Sequence, residues 1–294
     1  MPPAVSVELT NHCNLRCPEC PSGSGIMTRE KGFMNIDLFK RVIAELNPWL
    51  FYLNLWFQGE PMLHPDFFSF LEVTGSFGKV VSTNGHFLSE ESAGRLVRSD
   101  LAKLVISLDG MDQETYAAYR RGGDLERVIE GIMNVMQARK KYNSPLKVEI
   151  QFLVNRINEH QIPEVRNFAR GVKASLRLKS MQVLSNDRYR QWLPGDSRFR
   201  RYEESGGAWK IRSSLPRRCA RIWLNPVITW DGRVVPCCFD KNAEYIMGDL
   251  KEQSFREIWN SQVFNNFRMR VLSSRPEMGM CGNCTAGLKK SIKV

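Results

Sequence analysis

Histidine is scarce in this 294-residue sequence, which has four copies. His12, His64, His86 and His160 share no spacing that would bring imidazoles together on a metal, so a histidine-built centre is excluded. Long apolar runs are missing too. The most apolar stretch, LFYLNLWF at 50–57, is broken by Asn54 and is far too short to span a bilayer. Met1 leads through two prolines into VSVEL, without the basic-then-apolar pattern of a signal peptide, so a cytoplasmic protein with no membrane partner is expected. Internal repeats and low-complexity tracts are absent, which removes solenoids and disordered chains, and 43% apolar residues suffice for a full-sized core. Acidic residues are outnumbered by basic ones, 31 to 42, and the net charge of +11 invites a nucleic-acid reading. The excess is local, however. Positions 188 to 221 hold ten Lys or Arg and three acids, leaving 32 basic and 28 acidic residues for the rest of the chain.

What the sequence does contain is alternation. Six short runs rich in β-branched and aromatic residues read as strands at 5–9, 50–57, 79–83, 103–108, 146–154 and 176–183. Between them lie amphipathic stretches with N-cap candidates at Asn35, Ser89 and Asp124. In the last of these stretches Leu125, Val128, Ile132, Val135 and Met136 fall on one face. Strands alternating with helices of this length imply βαβ units and a parallel sheet, and six units fit an incomplete (β/α)6 barrel of the TIM type. Ligands collect at the carboxyl ends of such strands. There the sequence places a cysteine loop, then QGEP (58–61), TNG (83–85) and DG (109–110). After residue 185 the alternation stops. An arginine- and aromatic-rich stretch, 186–218, reads as a linker or lid, and 219–294 reads as a smaller region. That region carries a hairpin, VITWDGRVVPC, turning at Asp231 and Gly232, and a capping box at Ser254 and Glu257.

Eight cysteines without a secretion signal point to metal or redox chemistry and away from disulfides. The loop TNHCNLRCPECPSG spaces Cys13, Cys17 and Cys20 as C-x3-C-x2-C, which fits no common zinc pattern. A [4Fe–4S] cube held by three thiolates leaves one iron open to a further ligand. The second group, Cys219, Cys237, Cys281 and Cys284, could close a zinc site or hold a second cluster, and its donor chemistry alone does not choose. Cys238 is left over, either as a replacement for Cys237 among the ligands or as a small buried hydrophobe.

With these motifs the sequence resembles the radical S-adenosylmethionine (SAM) superfamily. The resemblance implies that SAM is the fourth ligand of the first cluster. Reduction by flavodoxin or ferredoxin then yields a 5′-deoxyadenosyl radical that abstracts hydrogen from the substrate. QGEP resembles the family's GGEP motif, giving Gly59 and Glu60 a role at the SAM ammonium group, with Gln58 a departure from the usual glycine. By the same resemblance Ser107 and Arg120, or Arg121 in its stead, bind the SAM carboxylate. Ser82 and Asn84 lie near its ribose and methionine, and Leu153, with Val154, flanks adenine. Glu19, before the third cysteine, departs from the family's frequent aromatic residue. The C-terminal cysteines resemble the single-cluster twitch form of the SPASM region, so two [4Fe–4S] clusters are expected in all.

Substrate contacts are expected from Arg177, Lys179 and Gln182 on the sixth strand. Similar single-cluster members oxidise an aminocyclitol alcohol, so a radical SAM oxidoreductase acting on a small polar or carbohydrate-like metabolite is the first expectation. Modification of a peptide or protein side chain is the alternative, although no segment ahead of Cys13 is long enough for a peptide-recognition domain. The distant third reading is a non-enzymatic zinc protein binding nucleic acid through Tyr189, Trp192, Phe199, Tyr202, Trp209 and the interleaved arginines.

Overall fold

Side-chain caps open the helices where the sequence places them. Asn35 accepts the amides of Asp37 and Leu38 at the start of Ile36–Leu46, Ser89 accepts that of Ser92 ahead of Glu90–Arg98, and Asp124 accepts that of Arg127 ahead of Leu125–Lys141. The last helix buries Leu125, Val128, Ile132 and Val135, while Met136 is half-buried. These elements belong to a computed structural model that describes residues 1–184, 186–212, 215–216, 218–282 and 284. The expected edge at Ser185 and the tail 285–294 of the expected C-terminal region lie outside the described residues.

The chain is α/β. Its strands in order are β1 (Ala4–Val7), β2 (Tyr52–Asn54), β3 (Gly78–Thr83), β4 (Leu101–Ser107), β5 (Lys147–Val154) and β6 (Ser175–Ser180). They are followed by β7 (Tyr202–Ser205), β8 (Ala208–Ile211), β9 (Val227–Ile228), β10 (Arg233–Val235) and β11 (Gly248–Asp249). All six expected barrel strands form. The second is much shorter than its apolar run, because Leu50 and Leu55 are buried at positions flanking the strand, with the Leu55 amide still donating to the Val80 carbonyl at 2.8 Å. The sixth ends at Ser180 for a similar reason, since Met181 and Val183 are buried beyond the strand.

Two compact units interleave along the sequence. One comprises 1–13, 26–81 and the described part of 215–287, and the other comprises 14–25 and the described part of 82–214. In the first, the sheet order is β11-β10-β9-β1-β2-β3. Here β1 pairs in parallel with β2 on one edge and β9 on the other, with Ser6 opposite both Asn54 and Val227. The strands of the C-terminal region, β9 to β11, therefore continue the sheet that contains β1. The hairpin turn between β9 and β10 places Gly232 at φ +92°, whereas Asp231 stays out of the left-handed region. Glu257 and Ser254 form the expected capping box.

In the second unit β4, β5 and β6 lie parallel in chain order. The basic segment folds into its own antiparallel hairpin, β7 with β8, turning through Gly206 and Gly207. Its aromatic rings pack on one another. Tyr189 lies 4.5 Å from Tyr202 and 5.3 Å from Trp209 between centroids, so these rings are spent internally and not spread as a stacking platform.

Candidate active site

Within the first unit, the segment after β1 runs against the QGEP loop. Gly59 sits at φ +77°, and a Cβ there would come 2.6 Å from the carbonyl oxygens of both Thr10 and His12. Glycine alone satisfies that backbone and that contact. The amide of Glu60 donates to the His12 carbonyl at 2.8 Å, and its buried carboxylate accepts the Met62 amide at 3.2 Å. Behind this loop Glu8 is fully buried and accepts two N–H groups of Arg29, at 2.7 and 2.8 Å, and the amide of Trp230 at 3.2 Å. Burial pushes the Glu8 carboxyl above its ordinary pKa, and Arg29 works against that rise. Arg29 also donates to the Lys241 carbonyl at 3.0 Å, tying the N-terminal strand to the C-terminal region.

Within the second unit, the backbone curls after Cys17. Cys20 donates to the Cys17 carbonyl at 3.2 Å and Gly23 to the Cys20 carbonyl at 3.0 Å. A Cβ on Gly23 would lie 2.6 Å from the Cys17 nitrogen, so the curl closes only over glycine. Arg120 ends the helix Gln113–Tyr119 with its Nη1 4.0 Å from Cys17 Sγ, and its Nε donates to Asp109 Oδ2 at 2.6 Å. Asp109 is itself fixed, since its other carboxylate oxygen accepts the Leu153 amide at 2.6 Å and its carbonyl accepts from Asn158 at 3.0 Å. Burial opposes the Arg120 charge, but Asp109 together with Cys17, Tyr119 and Tyr116 more than offsets it and holds the guanidinium pKa above its ordinary value. The Arg121 side chain is exposed, whereas the Arg120 guanidinium is the one that reaches Cys17 Sγ.

Strand register gathers the other expected residues on one face. Ser107, Gln151 and Arg177 are cross-strand partners in one row, and Leu153 and Lys179 form the next. Val154 points the other way into the core and is fully buried. Arg177 is not an unengaged substrate contact. Its Nε lies 2.9 Å from Glu149, which Lys103 also reaches at 2.7 Å, while Lys179 donates to Gln151 at 3.3 Å. Gln182 is half-buried just past β6, and Ser82 is half-buried at the end of β3. Asn84 donates to Asn14 at 2.8 Å and accepts from the amide of His86. Glu19 is buried, accepting the Leu184 amide at 2.7 Å with Arg188 at 3.5 Å, so it anchors the chain beyond β6. Asp109, Glu149 and Gln151 carry no sequence signal of their own beyond the DG turn.

The second cysteine group lies wholly in the first unit. Cys237 is an electrostatic neighbour of Cys238 and Cys284, and Cys281 of Cys284 and Cys219. Burial pushes the thiols of Cys237 and Cys281 up. Arg275, 1% exposed, donates to the carbonyls of Pro216 and Arg218 at 2.6 and 3.1 Å and places Nη2 3.6 Å from Cys284 Sγ. Arg221 lies 3.2 Å from Cys238 Sγ, and Cys238 is half-buried against Val227, Val235 and Ala243 instead of fully enclosed. Among the described residues no three His, Cys, Asp or Glu side chains form a ready-made ligand cage. The fit to iron–sulfur clusters rests on donor chemistry: soft thiols in two groups, with guanidinium groups beside Cys17 and Cys284 to balance thiolate charge.

The chain belongs to the radical SAM superfamily, whose family model matches residues 7–169, and an iron–sulfur cluster-binding domain of the SPASM type matches 219–285. It is a radical SAM enzyme with SAM and iron–sulfur chemistry. The mycofactocin maturase of Mycobacterium tuberculosis is 28% identical over 96% of this chain and 75% of its own. A tungsten-containing aldehyde ferredoxin oxidoreductase cofactor-modifying protein of Pyrococcus furiosus is 24% identical over 89% and 82%. The structure of SuiB from Streptococcus suis bound to S-adenosylmethionine shares the fold with a TM-score of 0.69 at 15% identity, covering 97% of this chain and 72% of that one. BtrN in complex with AdoMet and 2-DOIA has a TM-score of 0.59 at 17% identity, covering 99% and 97%. No helix among the described residues is long and apolar enough to cross a membrane.

Proposed function

We propose that the protein is a peptide-modifying radical SAM oxidoreductase with two [4Fe–4S] clusters, one held by Cys13, Cys17 and Cys20 and one by Cys219, Cys237, Cys281 and Cys284. Reductive SAM cleavage and hydrogen abstraction from the substrate are the chemistry these groups supply when bound. The observation that carries the reading is Arg120, a half-buried guanidinium held by Asp109 beside Cys17. A fixed cation at that point suits an anionic amino-acid carboxylate, with the Ser107 hydroxyl as a second donor. Glu60 takes the ammonium group, Gly59 lets the backbone approach, Ser82 and Asn84 serve the ribose and methionine, and Leu153 walls the adenine. Lys179 and Gln182 remain the substrate-side candidates, with Arg177 oriented through Glu149. The electron comes from a flavodoxin or ferredoxin. A peptide substrate is favoured by the likeness to the mycofactocin maturase over nearly the whole chain.

The first test is anaerobic reconstitution with iron and sulfide, then dithionite and SAM. Formation of 5′-deoxyadenosine is expected, and stoichiometric zinc with no charge-transfer absorbance overturns the reading. The substrate class is read from deuterium transferred into 5′-deoxyadenosine when a perdeuterated extract is supplied. Protease pretreatment of the extract abolishes the transfer for a peptide. Survival of the transfer assigns the small polar metabolite instead.

A further inference from the structure

Beside the cysteine loop, an opening of about 380 Å³ is lined by Arg16, Pro18, Gly23, Ser24, Arg121 and Arg188. Three arginines, two of them with exposed side chains, line one concave space. The Arg16 amide donates to the Arg121 carbonyl at 2.8 Å, fixing the two arginine-bearing segments side by side. Arg188 is pinned by its hydrogen bond to the Pro18 carbonyl at 3.1 Å and by Glu19 at 3.5 Å. Glu19 is the single carboxylate among these contacts, and it is buried and shared with the Leu184 amide. Among the described residues neither the Arg16 nor the Arg121 side chain is paired with an acid. Three positive charges against one negative leave the opening with a surplus of two. Like charges confined together raise the free energy of the empty site, and an oxyanion that accepts their planar N–H pairs lowers it.

We infer that this opening is a recognition site for carboxylates on the substrate, an acidic stretch of peptide whose side chains seat against Arg16 and Arg121 with the Ser24 hydroxyl as a neutral donor. The inference rests on the peptide reading above and adds a preference for acidic sequence. It also assigns a use to arginines that neither the SAM residues nor the cluster ligands require.

The test reads binding alone. Anaerobically reconstituted protein, without SAM or reductant, is titrated with fluorescein-labelled hexaglutamate at low salt and followed by anisotropy. The parent binds, and Arg16→Ala/Arg121→Ala weakens binding by roughly tenfold or more. Iron content and circular dichroism stay unchanged, and Arg16→Lys/Arg121→Lys recovers part of the loss. The proposal is overturned if the parent fails to bind hexaglutamate, if the double alanine variant binds as the parent does, or if hexalysine competes equally. It is also overturned if inorganic phosphate binds where hexaglutamate does not, which would mark a small-anion site. Because no turnover is read, failure of SAM cleavage would leave a positive binding result standing. A peptide-modifying enzyme indifferent to acidic sequence would overturn the pocket alone.

Discussion

Cys13, Cys17 and Cys20 come from eight consecutive residues, whereas Cys219, Cys237, Cys281 and Cys284 are collected across sixty-six. The short group depends on a local curl that a glycine permits. The long group depends on a completed hairpin, a helix and the Arg275 tether from Cys284 back to the backbone ahead of Cys219. A donor set of the first kind is prepared by its own loop. One of the second kind must also staple the elements that bring it together. The same chemistry is therefore expected to respond differently to the loss of each set.

The largest effect is expected from Cys13→Ala/Cys17→Ala/Cys20→Ala. SAM cleavage should vanish, and about four of roughly eight irons should be lost while thermal stability changes little. Iron analysis and chromatographic detection of 5′-deoxyadenosine check this. Cys281→Ala/Cys284→Ala should also remove about four irons but leave SAM cleavage, with little oxidised product and a clearly lower Tm. A normal yield of product would leave stapling as the only role of the second group. Asp109→Asn comes next. Without the carboxylate, Arg120 loses its partner, and SAM affinity should fall roughly tenfold with iron content unchanged, as equilibrium dialysis would show. The smallest effect concerns Glu149. Burial raises its pKa, but Lys103 and Arg177 together bring it below the ordinary 4.5. A depressed carboxylate contributes stability that is present above the unfolded value and lost as pH falls through the folded one. Glu149→Gln should therefore cost roughly 1 kcal/mol or less near neutrality and almost nothing in acid below both values, measured by urea unfolding.

Much of this architecture is legible in residues whose signals are local. Asn35, Ser89, Asp124 and the Ser254–Glu257 box declare helix starts through their own side chains. The cysteine spacings declare their chemistry without any contact being known. What is not legible depends on pairing between distant and ordinary residues. Glu8 finds Arg29 and Trp230, Arg120 finds Asp109, and Arg275 finds Cys284, and a lone charged residue in a sequence gives no hint of such a partner. The hairpin of β7 and β8 lies between the two cases. Its Gly206–Gly207 pair is a turn signal, but YEES and AWKI lack the clean alternation of a strand, because only Tyr202 is buried. Arg177 is a further case, since its ion pair with Glu149 leaves no trace in the sequence.

The pairing of β1 with both β2 and β9 also sets a clock. On the ribosome, Ser6 emerges long before Val227, its partner across the β1–β9 ladder. At ordinary elongation rates the interval is roughly ten to forty seconds. Throughout that time β1 can find β2 but has no partner on its other side, so one edge of a strand with buried Val5 and Val7 stands open while most of the protein is still being made. During that interval the nascent chain carries an open strand edge of the kind that favours strand-to-strand association. Slow translation between β2 and β9 would lower the yield of soluble enzyme even though it alters no residue.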